Sequence, residues 1–115
     1  MDAGRRLLPI AAKRHVTVPD PFTIAAMSFA IGIDFGTSSA RAIVVSCDDG
    51  RTVGTSVCPY PSGDQGVLLH PKDPHLARQN PADYLTALRA SVTAALTQAE
   101  SVPEFSRDAV IGIGA

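Results

Sequence analysis

Tryptophan is missing from this 115-residue chain, aromatic residues make up only 5% of it, and ten Lys and Arg face eleven Asp and Glu. A chain with no basic excess and few aromatic rings has little of the usual means of holding nucleic acid or an anionic membrane, so neither partner is expected. Apolar runs approaching eighteen residues are also missing, which excludes a spanning helix of the ordinary kind. Cys47 and Cys58 have no companion pair, so neither a disulfide framework nor a zinc pattern is present. Free thiols in a reducing cytoplasm are the expected state. Internal repeats and low-complexity tracts are absent as well.

What is present suits one folded domain. Hydrophobic residues make up 45% of the chain and charged residues 18%, close to the balance of globular proteins. The first 26 residues stand apart. There Arg5, Arg6, Lys13 and Arg14 outnumber Asp2 and Asp20, but no compact apolar stretch precedes a small-residue cleavage site, so a secretory signal is not expected. Met27 falls directly before the first apolar run, and residues 1–26 are therefore read as a disordered leader or as sequence upstream of the true start. Residues 28–115 hold six Lys and Arg against nine Asp and Glu, a mildly acidic balance ordinary for a cytoplasmic enzyme.

Along the chain, Phe29 to Phe35 is a short apolar run rich in β-branched residues and predicts a buried strand. Gly36, Thr37, Ser38 and Ser39 supply a turn, and Arg41 to Ser46 resumes as a second strand, completing a hairpin. Asp48, Asp49 and Gly50 mark the next reversal, after which Thr52 to Tyr60 alternates as a third strand. The prolines and glycines between residues 61 and 79 predict a long surface loop. Asn80 offers a helix cap, Pro81 fits the first helical position, and Asp83 suits the positive end of the helix dipole. Leu85, Leu88, Val92, Ala95, Leu96 and Ala99 recur at three- and four-residue spacing and predict a core-facing stripe. After Pro103, Ala109 to Ala115 reads as a fourth strand. The order is β-β-β-α-β, an α/β arrangement whose crossover helix predicts a parallel return strand. An apolar strand with nothing after it to cover it leads to the expectation of a domain truncated there.

The chemistry concentrates at Asp34-Phe35-Gly36-Thr37-Ser38-Ser39. Gly36 permits close approach of a ligand to the backbone, successive N–H groups in a tight turn form a concave anion site, and Thr37 and Ser38 add hydroxyl donors. A carboxylate at Asp34 would repel phosphate unless a cation lay between them, and its natural role is to hold magnesium through water. The turn is no P-loop, because it joins two strands and no Gly-Lys-Ser/Thr follows. Nor is Asp-Phe-Gly here the protein-kinase motif, whose companion loops are missing. His70 and His75 flank Asp73, but prolines on both sides argue against a metal site, and surface-loop histidines are the expectation.

The stretch IGIDFGTSSARAIVV resembles the first phosphate motif of the actin, Hsp70 and sugar-kinase superfamily, and within it the FGGY carbohydrate kinases. The likeness runs from about Met27 to Ala115, and HLARQNPADYLTALRASVTAAL is similar to the loop and first helix of the L-ribulokinase branch. The resemblance implies part of a ribonuclease H-like (actin-like ATPase) domain. It implies ATP and Mg²⁺ as cofactors, with Asp34 positioning the metal, Gly36, Thr37 and Ser38 facing the nucleotide phosphates, and Arg41 bracing the turn. It further implies a small-molecule sugar substrate, L-ribulose or a related ketose, converted to its 5-phosphate. The general base and adenosine pocket of such enzymes lie far downstream of these residues, so no catalytic residue is assigned and the 115-residue polypeptide alone is expected to be inactive. The same turn would serve a xylulose, ribitol or glycerol kinase, a non-catalytic nucleotide-binding module, or a gene fragment without a function of its own.

Overall fold

The computed structural model describes residues 27–115. The reading of residues 1–26 as a leader lies outside them. Three antiparallel strands come first, β1 (Phe29–Phe35), β2 (Ser39–Ser46) and β3 (Thr52–Pro59). Helix α1 (Pro81–Ala99) and a strand here called β6 (Val110–Gly114) follow. In the sheet the strands run β3-β2-β1-β6, with β6 parallel to β1 as the crossover requires. The expected β-β-β-α-β succession is therefore present.

Two expectations are corrected in detail. The segment read as a plain loop contains a small antiparallel ribbon, β4 (Leu68–Leu69) paired with β5 (Ala77–Arg78). The ribbon is closed by a turn in which His70 Nδ1 accepts the N–H groups of Lys72 and Asp73, so that histidine serves the backbone. Ala109, read as strand, instead ends a single 3₁₀ turn, Arg107–Ala109, capped by the Ser106 hydroxyl. The Asp48-Asp49-Gly50 reversal is as read: Gly50 has φ +75°, and Asp49 Oδ1 accepts the Arg51 N–H at 2.9 Å. That bond, foremost, lowers the carboxyl pKa of Asp49.

Helix α1 starts where the cap residues place it, with Asn80 Oδ1 accepting the Ala82 N–H at 3.0 Å and Pro81 at the head. Its buried face is narrower and smaller than the leucine pattern predicts. Asp83, Ala87, Ser91, Ala95 and Ala99 are the buried positions, a run at a spacing of four, while Leu88, Val92 and Leu96 are half-buried and Leu85 is 70% exposed. The reason is the close seat of the helix on β3. A Cβ added to Gly54 would lie 2.1 Å from the Ala95 carbonyl oxygen, so only small side chains fit along that line. A bulge between Val44 and Val45 leaves Val53 without a register partner in β2, and Val53 is buried beside Gly54.

The main core gathers Phe29, Ile31, Ile33, Ala42, Val44 and Val53 from the sheet with Ala95 and Ala99 from α1. Phe105 closes it edge-on to Phe29 at 5.0 Å between ring centroids. A second cluster, Ala40, Tyr60 and Ala87 with Tyr84 and Cys58 against it, joins the start of β2, the end of β3 and the first half of α1. No helix among the described residues is long and apolar enough to cross a membrane.

Candidate functional site

The hairpin between β1 and β2 pairs Phe35 with Ala40, leaving Gly36 to Ser39 as the tip. Gly36 N–H donates to the Ser39 carbonyl at 2.8 Å, which closes a two-residue loop of Thr37 and Ser38. None of these residues has a positive φ, so this is not one of the mirror-image turns common in two-residue hairpins. Gly36 supplies space instead: a Cβ there would stand 3.1 Å from the Ser39 oxygen.

All four carbonyls of the tip find donors, that of Ser39 through the Gly36 N–H. Tyr60 Oη donates to Gly36 O at 3.0 Å, Gln79 Nε2 donates to Thr37 O at 2.5 Å, and Tyr60 N–H donates to Ser38 O at 2.9 Å. The N–H groups of Thr37 and Ser38 have no acceptor among the described residues, and both side chains are exposed. A stretch with satisfied carbonyls and unsatisfied, solvent-facing amides carries partial positive charge and suits an anion.

Asp34 lies one residue before the end of β1 on the sheet face opposite α1, with Arg41 as its cross-strand neighbour. Together with Gly32, Ile33 and Ile43 the two line a shallow cleft of about 180 Å³. Asp34 is exposed and forms neither a hydrogen bond nor an ion pair among the described residues, and the same holds for Arg41. The residues expected to act together thus share one end of the sheet: Gly36, Thr37 and Ser38 form the tip, Asp34 leads into it, and Arg41 leads away from it. Among the described residues the bonds that tie the tip to the rest of the fold come from Tyr60 and Gln79.

A lone carboxylate fits magnesium, because that ion keeps several waters and takes one or two protein carboxylates together with phosphate oxygens. No group of three or more potential metal-ligating side chains occurs among the described residues. Asp34 would therefore hold the ion mainly through water.

Nothing in the sequence linked Tyr60 or Gln79 to the tip, although Gln79 lies within the stretch similar to the L-ribulokinase branch. They lie 24 and 42 residues from their partners in the tip, and nothing in local periodicity connects such positions. Tyr84 belongs with them. Its hydroxyl donates to Gln79 Oε1, and its ring packs edge-on against Tyr60 at 5.4 Å and Phe35 at 5.6 Å. Burial, first, then the nearby Tyr84, Asp34 and Asp83 raise the Tyr60 hydroxyl above its ordinary pKa, which keeps the phenol protonated and donating.

No protein-family model matches the chain. It is 39% identical over 93 residues to a ribulokinase of Shouchella clausii, covering 75% of this chain and 15% of that protein. It is 36% identical over 84 residues to a ribulokinase of Vibrio parahaemolyticus, covering 73% and 14%. A ribulokinase of Staphylococcus aureus is 34% identical over 90 residues, covering 76% and 16%. The chain thus spans about 15% of the length of the curated relatives it matches.

Proposed function

We propose that residues 27–115 form the amino-terminal, phosphate-gripping part of a ribulokinase-like FGGY sugar kinase acting in the cytoplasm. In this reading the antiparallel meander and parallel return strand are the opening of a ribonuclease H-like, actin-like ATPase domain. The reaction is transfer of the γ-phosphoryl of ATP to L-ribulose, giving L-ribulose 5-phosphate and ADP. The similarity to proteins named ribulokinase supports the sugar, and the hairpin tip supports the nucleotide.

One observation carries the proposal: the Thr37 and Ser38 amides lack protein acceptors while every carbonyl of the same tip is satisfied. Such a tip binds an anion at no cost in broken backbone bonds. The amides and the Thr37 and Ser38 hydroxyls meet phosphate oxygens, and Arg41 adds positive charge on the adjoining strand. Asp34 orients magnesium through water, and the ion when bound neutralises phosphate charge. Phosphoryl transfer depends on positioning and charge neutralisation, and the tip contributes both for one end of the nucleotide.

Titrating Mg-ATP into the ¹⁵N-labelled chain tests this. The amide signals of Thr37 and Ser38 are expected to move most, and Asp34→Ala is expected to weaken the response to Mg-ATP more than the response to magnesium-free ATP. Equal responses in the wild type, Asp34→Ala and Thr37→Ala would sink the site assignment.

A further inference from the structure

We propose that Gln79 is a positioning residue for this tip: its side-chain amide, locked between Tyr84 and the Thr37 carbonyl, turns the Ser38 N–H outward toward the anion. The inference rests on the phosphate-binding reading and deepens it. A trans peptide is planar, with the carbonyl of one residue and the N–H of the next pointing in opposite directions. Whatever fixes the Thr37 carbonyl inward therefore fixes the Ser38 amide outward. Gln79 Nε2 does so at 2.5 Å.

The orientation of the Gln79 amide follows from chemistry. The Thr37 oxygen can only accept, so the Gln79 NH₂ must face it, and Oε1 must then face a donor. The Tyr84 hydroxyl is that donor. Tyr84 lies in the first turn of α1, and Gln79 directly precedes Asn80, whose side chain caps that helix. Asn80 also donates to the Ser62 hydroxyl at 3.1 Å, and buried Asp83 accepts from the same hydroxyl at 2.9 Å and from Ser62 N–H at 3.1 Å. The start of α1, directly after the glutamine, is thus tied down. Tyr60 fixes the two neighbouring peptides in the same way, through its hydroxyl and its own N–H. However, Tyr60 is 3% exposed and part of a core cluster, so its removal would mix positioning with packing. Gln79 is half-buried and reaches the tip by its side chain alone, which makes it the separable member.

The test uses the ¹⁵N-labelled chain as wild type, Gln79→Met and Tyr84→Phe. Methionine keeps the length of the side chain and removes donor and acceptor together. The residual dipolar coupling of the Ser38 N–H reports the direction of that bond with no ligand present, and sodium tripolyphosphate serves as the anionic probe. In Gln79→Met the Ser38 coupling is expected to change while those of Val44 and Ala95 stay put, with a roughly tenfold weaker affinity for tripolyphosphate, the size expected for one charge-assisted hydrogen bond. Tyr84→Phe, which frees the amide to rotate, is expected to move the Ser38 coupling the same way and by less. An unchanged Ser38 coupling in Gln79→Met overturns the positioning role and leaves the phosphate reading standing. A wild-type chain whose Thr37 and Ser38 signals ignore tripolyphosphate overturns the phosphate reading and the affinity consequence with it, while the coupling still decides whether Gln79 holds the peptide.

Discussion

Tyr60 joins packing to chemistry at one position: its ring fills the cluster with Ala40 and Ala87, and its hydroxyl and backbone N–H hold two peptides of the hairpin tip. The phenol has to stay protonated to donate to Gly36 O. Its pKa is raised from 10.0, chiefly by burial, so the folded chain keeps a proton that the unfolded chain releases near pH 10. The linkage then has a definite sign. Tyr60's contribution to stability is complete below about pH 10 and is lost as pH rises from there through the higher folded value. Urea denaturation between pH 8 and pH 11 is expected to show this decline. Tyr60→Phe should abolish its own share of the slope while lowering stability at neutral pH by about 0.5–1.5 kcal/mol, the ordinary worth of one hydrogen bond. A variant as steeply pH-dependent as the wild type would place the alkaline sensitivity elsewhere. At this scale the sequence pointed to the residues proposed to meet the phosphates, because Asp34, Gly36, Thr37 and Ser38 are consecutive or nearly so. Those that hold them, Tyr60 and Gln79, arrive only through the fold.

Strands, turns and caps obey local rules, which is why the hairpin, the Asp-Gly reversal and the Asn80-Pro81 helix start could be read directly. The face that α1 presents could be read in large part. Leu88, Val92, Ala95, Leu96 and Ala99 lie in or against the core as the periodicity predicts, but Leu85 is 70% exposed and the fully buried line adds Ala87 and Ser91. Close approach decides the matter, since Gly54 on β3 leaves room for the helix backbone itself. A further tie follows the same edge: Gln98 Oε1 accepts the Thr55 N–H at 2.6 Å, so the helix covers a strand edge that would otherwise be open. Gly54→Ala would place a methyl 2.1 Å from the Ala95 oxygen and has to lift the helix. Overpacking of this kind should lower stability by about 1–3 kcal/mol in chemical denaturation. Gly112→Ala on β6, where an added Cβ meets nothing within 4 Å, should stay within about 0.5 kcal/mol of the wild type. Equal effects at the two positions would mean that the tight helix–strand seat contributes nothing.

As a whole, residues 27–115 form a sheet with one helix seated over β3 and β2, and the two ends of that sheet differ in character. The return strand β6 leaves Ile111 and Ile113 largely exposed at the opposite edge, and the far face carries Asp34 and Arg41 beside Ile43. The meander and the parallel return of the last strand were legible because a meander followed by a crossover helix has few allowed closures, and the pairing of β6 with β1 came from the structure. The role proposed for the far face rests on the chemistry of Asp34, since period-two alternation says which side a residue takes and not what meets it there. This architecture sets a limit on what the 115-residue polypeptide can do by itself. One tip of amides and hydroxyls with a single neighbouring carboxylate can position a phosphate chain, but in-line transfer also requires an activated acceptor held against it. Affinity for Mg-ADP should accordingly be weak, on the order of a millimolar, because a few charge-assisted bonds must offset the entropy of association. Incubated with ATP, magnesium and L-ribulose, the purified polypeptide should form no sugar phosphate above background. Turnover under those conditions would require an acceptor-activating group among these residues, and Asp34 would then have to be re-examined as a base.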